Sequence, residues 1–155
     1  MESRGIRNNN PLNIRLSSDK WQGQVLPQRG SGEGAFCQFY SMEYGWRAAF
    51  VILCRTYYGK YGLKTIRGIV SRWAPPKENN TEAYIRRVLE LMGRDRGQTR
   101  LAPPHTKPGR LQLALLVAAM TCVETGCPLD AVPLDNLNAG FVLAGMGDPS
   151  LKVGA

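Results

Sequence analysis

The stretch GRLQLALLVAAMTCVETG, residues 109–126, decides how the rest of the chain must be arranged. Leu111, Leu113, Leu115, Leu116, Val117, Met120 and Val123 spread apolar side chains over nearly the whole circumference of a helix. A helix without a polar face has to be covered on several sides, so the segment predicts the central helix of a mainly helical domain. Gly126 predicts its C-terminal stop, because glycine takes the left-handed conformation that ends helices at little cost. The run Leu111 to Met120 contains Gln112 and then meets Thr121 and Glu124, short of the roughly 18 apolar residues that a bilayer-crossing helix needs.

Working outward, Tyr84, Ile85, Val88, Leu91 and Met92 recur at helical spacing and end at Gly93. Asn79, three residues before Glu82, has the form of a capping box for that helix. Residues 94–109 are a basic, proline-containing connection. Thr65 to Trp73 form a short helix with Ile66, Ile69, Val70 and Trp73 on one side, stopped by Pro75-Pro76. A longer amphipathic helix starts at Ser41, carries Trp46, Phe50, Leu53 and Tyr57 as its stripe, and closes at Gly59 and Gly62. A last short helix covers Leu134 to Leu143, and residues 145–155 are expected to be a loose tail. Residues 1–35, rich in Gly, Asn, Ser and Arg, predict loops with at most one short hairpin. The fold class is therefore mainly α (α+β): one domain over 1–155, helical, with a loop-rich N-terminal lobe.

Composition narrows the function. The chain has 155 residues, 43% of them hydrophobic and 21% charged, an ordinary globular balance outside the range of disordered chains. Met1 to Asn13 lacks an apolar h-region, so no secretory signal peptide is expected. Cys37, Cys54, Cys122 and Cys127 form no CxxC pair and His105 is the one histidine, so neither a zinc site nor a histidine-based triad is expected, and no cofactor is implied. The net charge of +8 is compatible with attraction to an anionic cell envelope, to nucleic acid, or with solubility alone. The basic residues are dispersed, with no recognition helix or stacking strand, which makes nucleic acid an unlikely partner.

Three segments carry more chemistry than a helical bundle needs: 4–15, 73–81 and 123–126. The first two gather side-chain amides and aromatic rings in loops, groups suited to hydroxyls, N-acetyl groups and the apolar faces of sugars, although asparagine and proline also simply make turns. Glu124 stands in the last turn of the most apolar helix, where desolvation and the helix dipole both favour a protonated carboxyl. A carboxylic acid that still holds its proton is what glycosidic cleavage demands. The ordinary alternative is a glutamate facing solvent at a helix end. Glu43 and Glu78 are alternates, the first in a helix's first turn and the second beside a cap, while Glu82 has a structural look.

The string RGIRNNNPLNIR, then Trp21-Gln22-Gly23, Phe36 with Phe39, Gly45-Trp46-Arg47-Ala48, WAPPKENNT with Tyr84, and Ala119-Met120 with Glu124 and Gly126, resembles a group of phage and prophage virion proteins of lysozyme-like type. The resemblance covers almost the whole chain. It implies a lysozyme-like fold and a muralytic protein that is virion-associated, or made in the bacterial cytoplasm, and acts at the cell wall. Its partners would be peptidoglycan glycan strands and other virion proteins. A more distant likeness is to bacterial glucosaminidases and lytic transglycosylases, in which a helix ending in a catalytic Glu followed by Ser or Thr and Gly comes before an Asn-Asn loop. Here Leu115 to Gly126 is similar to that helix but comes after the loop, which implies a circular permutation. On this likeness Glu124 is the catalytic acid, and Asn9, Asn10, Asn13, Trp73, Asn79, Asn80 and Tyr84 bind the substrate. A single Glu suits a lytic transglycosylase better than a hydrolase with two carboxylates. The alternative is a structural virion protein that keeps the shape without the activity.

Overall fold

The computed structural model describes residues 2–26 and 36–152. Six α-helices follow one another: α1 (Arg4–Arg7), α2 (Met42–Val51), α3 (Ile66–Trp73), α4 (Thr81–Leu91), α5 (Lys107–Thr125) and α6 (Leu134–Leu143). The described residues contain no extended strands, only isolated antiparallel bridges such as Arg15 with Phe36 and Gln24 with Phe39. The molecule is thus mainly helical, and no described helix is long and apolar enough to cross a membrane.

α5 is the axis. Its side chains from 116 to 122 are all buried, as the encircling apolar pattern requires. The helix begins two residues before the sequence suggests, because Thr106 Oγ1 accepts from Gly109 N at 3.2 Å and Pro108 is tolerated in the first turn. Gly126 ends it at φ +78°, its N–H donating to Cys122 O at 2.9 Å.

α2 packs across α6 and touches α5. Buried Trp46 donates from Nε1 to Thr121 Oγ1 at 3.1 Å, satisfying a polar group that burial would otherwise penalise. Phe50 meets Phe141 edge-on at 4.4 Å. The close crossing exists because residue 140 is glycine: a Cβ there would lie 2.8 Å from Trp46 Cβ and 2.9 Å from Glu43 O. Beyond Val51 the expected single helix changes its winding. Ile52–Lys60 is a π-helix, closed by Tyr61 N donating to Thr56 O at 2.9 Å, a span of five residues instead of four.

Some local expectations need correcting. The cap of α4 is Asn80, whose Oδ1 accepts from Ala83 N at 3.1 Å; Asn79 instead donates to Pro75 O at 3.3 Å. Glu82 turns to Arg67 Nη1 at 2.6 Å and closes no capping box. Ser41 stands at the start of α2 without capping it through its side chain. The short α1, hidden in the N-terminal loops, is capped by Ser3 Oγ accepting from Ile6 N. The part of the hairpin expectation that falls on residues 27–35 lies outside the described residues. The C-terminal stretch is anchored as far as Leu151, which is buried and exchanges two hydrogen bonds with the Asn138 side chain; residues 153–155 lie outside the described part.

Candidate active site

The C-terminal end of α5 emerges from the core where two other segments meet it. There the half-buried Glu124 carboxyl is held at both oxygens. Asn13 Nδ2 donates to Oε1 at 2.9 Å, and Tyr84 Oη donates to Oε2 at 2.9 Å. The three side chains come from the N-terminal loop, α4 and α5, so the cluster exists only in the folded chain. Tyr84 sits in the first turn of α4 and is almost wholly buried; desolvation and the neighbouring Glu124 carboxylate push its phenol well above the usual tyrosine range, which keeps its proton available for donation.

Asn13 is aimed by its backbone. It holds φ at +54°, a left-handed conformation that asparagine tolerates better than most residues, and Asn9 does the same at +52°. Between them, Asn10 is fully buried and spends its amide on the loop itself: Oδ1 accepts from Ile14 N at 2.9 Å, while Nδ2 donates to Ile14 O at 3.0 Å and Cys37 O at 2.9 Å. Gly5 lets this loop lie against the end of α5, since a Cβ at that position would be 2.9 Å from Asn10 O and 3.3 Å from Thr125 Cγ2.

Asn13 also lines an open cavity of about 210 Å³ together with Ile14, Arg15, Ile52, Tyr57 and Trp73. At the rim, Arg15 reaches Glu78 at 4.0 Å, both side chains about two-thirds exposed. The N-terminal loop, the 73–81 loop and the end of α5 therefore converge at one place, with Asn13 common to the carboxyl cluster and the cavity wall.

The residues singled out from the sequence divide accordingly. Glu124, Asn13 and Tyr84 come together, and Trp73 lines the adjoining cavity. Asn10 is inside the loop, and Asn9 donates to Phe39 O at 3.1 Å within the same lobe. Asn79 and Asn80 are exposed on the turn before α4. Glu43 belongs to the crossing of α2 and α6, where Asn136 Nδ2 donates to it; its own backbone N–H, the Ser41 hydroxyl and that amide hold its carboxyl below the usual glutamate range. Glu78 is a rim residue. Arg15, Ile52 and Tyr57 were not distinguishable as site residues, since Tyr57 continues the apolar stripe of its helix and Arg15 is one of many dispersed bases.

No family model matches the chain. Over 142 residues it is 46% identical to Protein P5 of Pseudoalteromonas phage PM2, an alignment covering 90% of this chain and 80% of that protein. The chain belongs to the P5 family of phage proteins. An alignment that covers 90% of the chain leaves out about a tenth of it at the ends, so it spans all of α3, α4 and α5 and most of the surrounding framework of this P5-family fold.

Proposed function

We propose that this P5-family protein is a virion-associated muralytic enzyme that cuts the MurNAc–GlcNAc backbone of peptidoglycan as a lytic transglycosylase, with Glu124 as the single acid and base. The observation that carries the proposal is the carboxyl fixed between Asn13 and Tyr84 beside a groove lined by aromatic and polar side chains. In the first step protonated Glu124 gives its proton to the glycosidic oxygen as the C1–O bond breaks. In the second, the carboxylate takes the proton of the 6-hydroxyl of the same sugar, whose oxygen bonds to C1 and closes a 1,6-anhydro ring. No water is consumed. Asn13 and Tyr84 orient the carboxyl; of the alternates, Glu43 belongs to the α2–α6 crossing and Glu78 is exposed at the rim, 4.0 Å from Arg15.

Digestion of purified peptidoglycan followed by muropeptide analysis tests this. Anhydro-muropeptides are expected from the wild type; reducing-end products would point to a hydrolase, and unaltered walls would refute the activity. A second reading has its own support: both oxygens of Glu124 are already bonded within the chain, as in a tie that fastens the N-terminal loop and α4 to α5. In that case the protein is a structural virion component, and loss of Glu124 changes stability alone.

A further inference from the structure

The π-helical segment has a feature that its role in the core does not explain. Tyr57 within it and Tyr61 just beyond its end, four residues apart, have ring centres 6.1 Å apart, and Tyr57 in turn meets Trp73 edge-on at 6.1 Å. The three rings form a row that starts in the cavity beside Asn13 and runs outward to Tyr61, which is 42% exposed. Tyr57 and Trp73 pack against the core and also line the open depression, and Tyr61 continues the row at the surface outside it. Arg72 lies over this row, its guanidinium 4.1 Å from the Tyr61 ring centre and 5.8 Å from that of Tyr57. Among the described residues Arg72 makes no ion pair, and Arg15 stands at the other rim with a solvated 4.0 Å contact to Glu78 and its guanidinium 5.0 Å from the Phe36 ring centre.

From this geometry we infer that Trp73, Tyr57 and Tyr61 are successive stacking positions for a glycan strand leading away from Glu124, and that Arg72 makes the strip selective for an acidic amino-sugar polymer over a neutral one. The apolar face of a pyranose ring covers an aromatic ring, and the row spaces its rings by roughly the length of one sugar. A planar guanidinium already held against a ring can take a carboxylate in a bidentate pair with little loss of side-chain freedom. A muramic sugar without its stem peptide supplies that carboxylate on its lactyl ether, a sugar still carrying the peptide supplies the peptide's own carboxylates instead, and a polymer of N-acetylglucosamine alone has neither. Arg15 supplies a second cation at the cavity end of the strip.

The inference rests on the glycan-cleaving reading above, and binding separates the two. Calorimetric titrations use the full chain carrying Glu124→Gln, so that nothing is turned over, with two probes: chitotetraose, and a peptide-free GlcNAc–MurNAc tetrasaccharide. The acidic probe should bind about three- to fivefold more tightly, with a preference that shrinks as salt rises, the size expected of one solvated charge pair. Tyr61→Ala should weaken both probes by about fivefold. Arg72→Gln should abolish the preference by weakening the acidic probe about threefold more than chitotetraose, while Arg72→Lys, which keeps the charge, retains part of it. Equal affinity for the two probes in the parent, or equal effects of Arg72→Gln on both, would overturn the selectivity, and unchanged affinities in Tyr61→Ala would overturn the strip. Selective binding by a wild type that never releases muropeptides would sink the enzyme and spare the strip. Turnover indifferent to Tyr61→Ala and Arg72→Gln would do the reverse.

Discussion

Replacing Glu124 by Gln and by Ala separates chemistry from architecture, because the two variants differ in what they leave behind. Glu124 accepts one hydrogen bond on each oxygen, from Asn13 Nδ2 and Tyr84 Oη. A hydrogen bond to a charged group is worth about 1.5–3 kcal/mol and a neutral one about 1, and for a half-buried carboxyl the lower end applies. Gln keeps the shape, and its amide can be met by turning the Asn13 amide, whose Oδ1 is buried without a partner. Glu124→Gln therefore loses mainly the charge assistance, about 1–2 kcal/mol, or roughly 3–6 °C in Tm for a domain of this size. Glu124→Ala leaves the buried Tyr84 hydroxyl without an acceptor and costs about 2–4 kcal/mol. If Glu124 is the acid, however, both variants lose the same activity, by at least about a hundredfold, since neither amide nor methyl group delivers a proton. Thermal unfolding by circular dichroism and muropeptide release from purified walls read the two quantities independently. A folded Glu124→Gln that cleaves at the wild-type rate would refute the assignment, and two variants of equal stability would refute the hydrogen-bond account.

Tyr84→Phe is expected to cost about 1–2 kcal/mol at pH 7, the bond to Glu124, and the cost should depend on pH. Tyr84 holds its proton more tightly in the folded state, so its contribution is complete below the unfolded value near 10 and is lost as the pH rises above it; urea denaturation at pH 7 and pH 10.5 should show the gap between wild type and variant closing. Asn10→Ala orphans one buried N–H and removes the donor to two carbonyls, and should cost about 3 kcal/mol or more; a change below about 0.5 would mean that the loop is held by something else. Gly5→Ala forces a Cβ to within 2.9 Å of Asn10 O and should cost about 1–3 kcal/mol in the same assay. Glu43 works in the opposite pH direction from Tyr84: its depressed pKa contributes stability above the ordinary value of 4.5 that disappears as the pH falls toward the folded one, so Glu43→Gln should flatten the acid limb of the stability profile.

The sequence was readable where one force dominates and opaque where two nearly equal choices compete. The apolar circumference of α5 leaves no option but a central helix, and Pro75-Pro76 and Gly126 end their helices by steric necessity. Asn79 and Asn80 are both able to cap α4, and the choice between them is made by the turn that closes from Pro75 O to Glu78 N, a tertiary outcome. Likewise the π winding of Ile52–Lys60 leaves no trace in a stripe that suits an α-helix equally well. At the site, Glu124 could be singled out from its place on α5. The identity of its partner asparagine could not, because Asn9, Asn10 and Asn13 are chemically alike and are sorted only by the fold, with Asn9 and Asn13 left-handed, which turns one amide to Phe39 O, one into the loop and one toward α5.

That sorting also explains why the N-terminal motif is so long. Little of it touches the carboxyl: from residues 4–15, Asn13 alone bonds to Glu124, and the remainder builds the surface on which Asn13 is carried. Gly45 of α2 lets the loop backbone rest on the helix, since a Cβ there would lie 2.2 Å from Asn9 O and 2.8 Å from Pro11 Cδ, and Gly5 does the same at the end of α5. Asn10 then locks the loop to the segment at Cys37 from within. A surface loop is normally among the softest parts of a domain, but this one buries Leu12 and Ile14 in the core. Here it is wedged between two core helices and tied through a buried amide, so the Asn13 donor is held against Glu124 by contacts far stiffer than the single hydrogen bond between them. Positioning of this kind is what proton transfer requires, because small displacements of an acid from its target cost large factors in rate. On the proposed reading, the two glycines and the buried clamp serve to hold the partner of the carboxyl in place, and on the structural one they pack the lobe against the two helices. Asn10→Ala, which loosens the loop without touching Glu124, should lower turnover more than binding only in the first case.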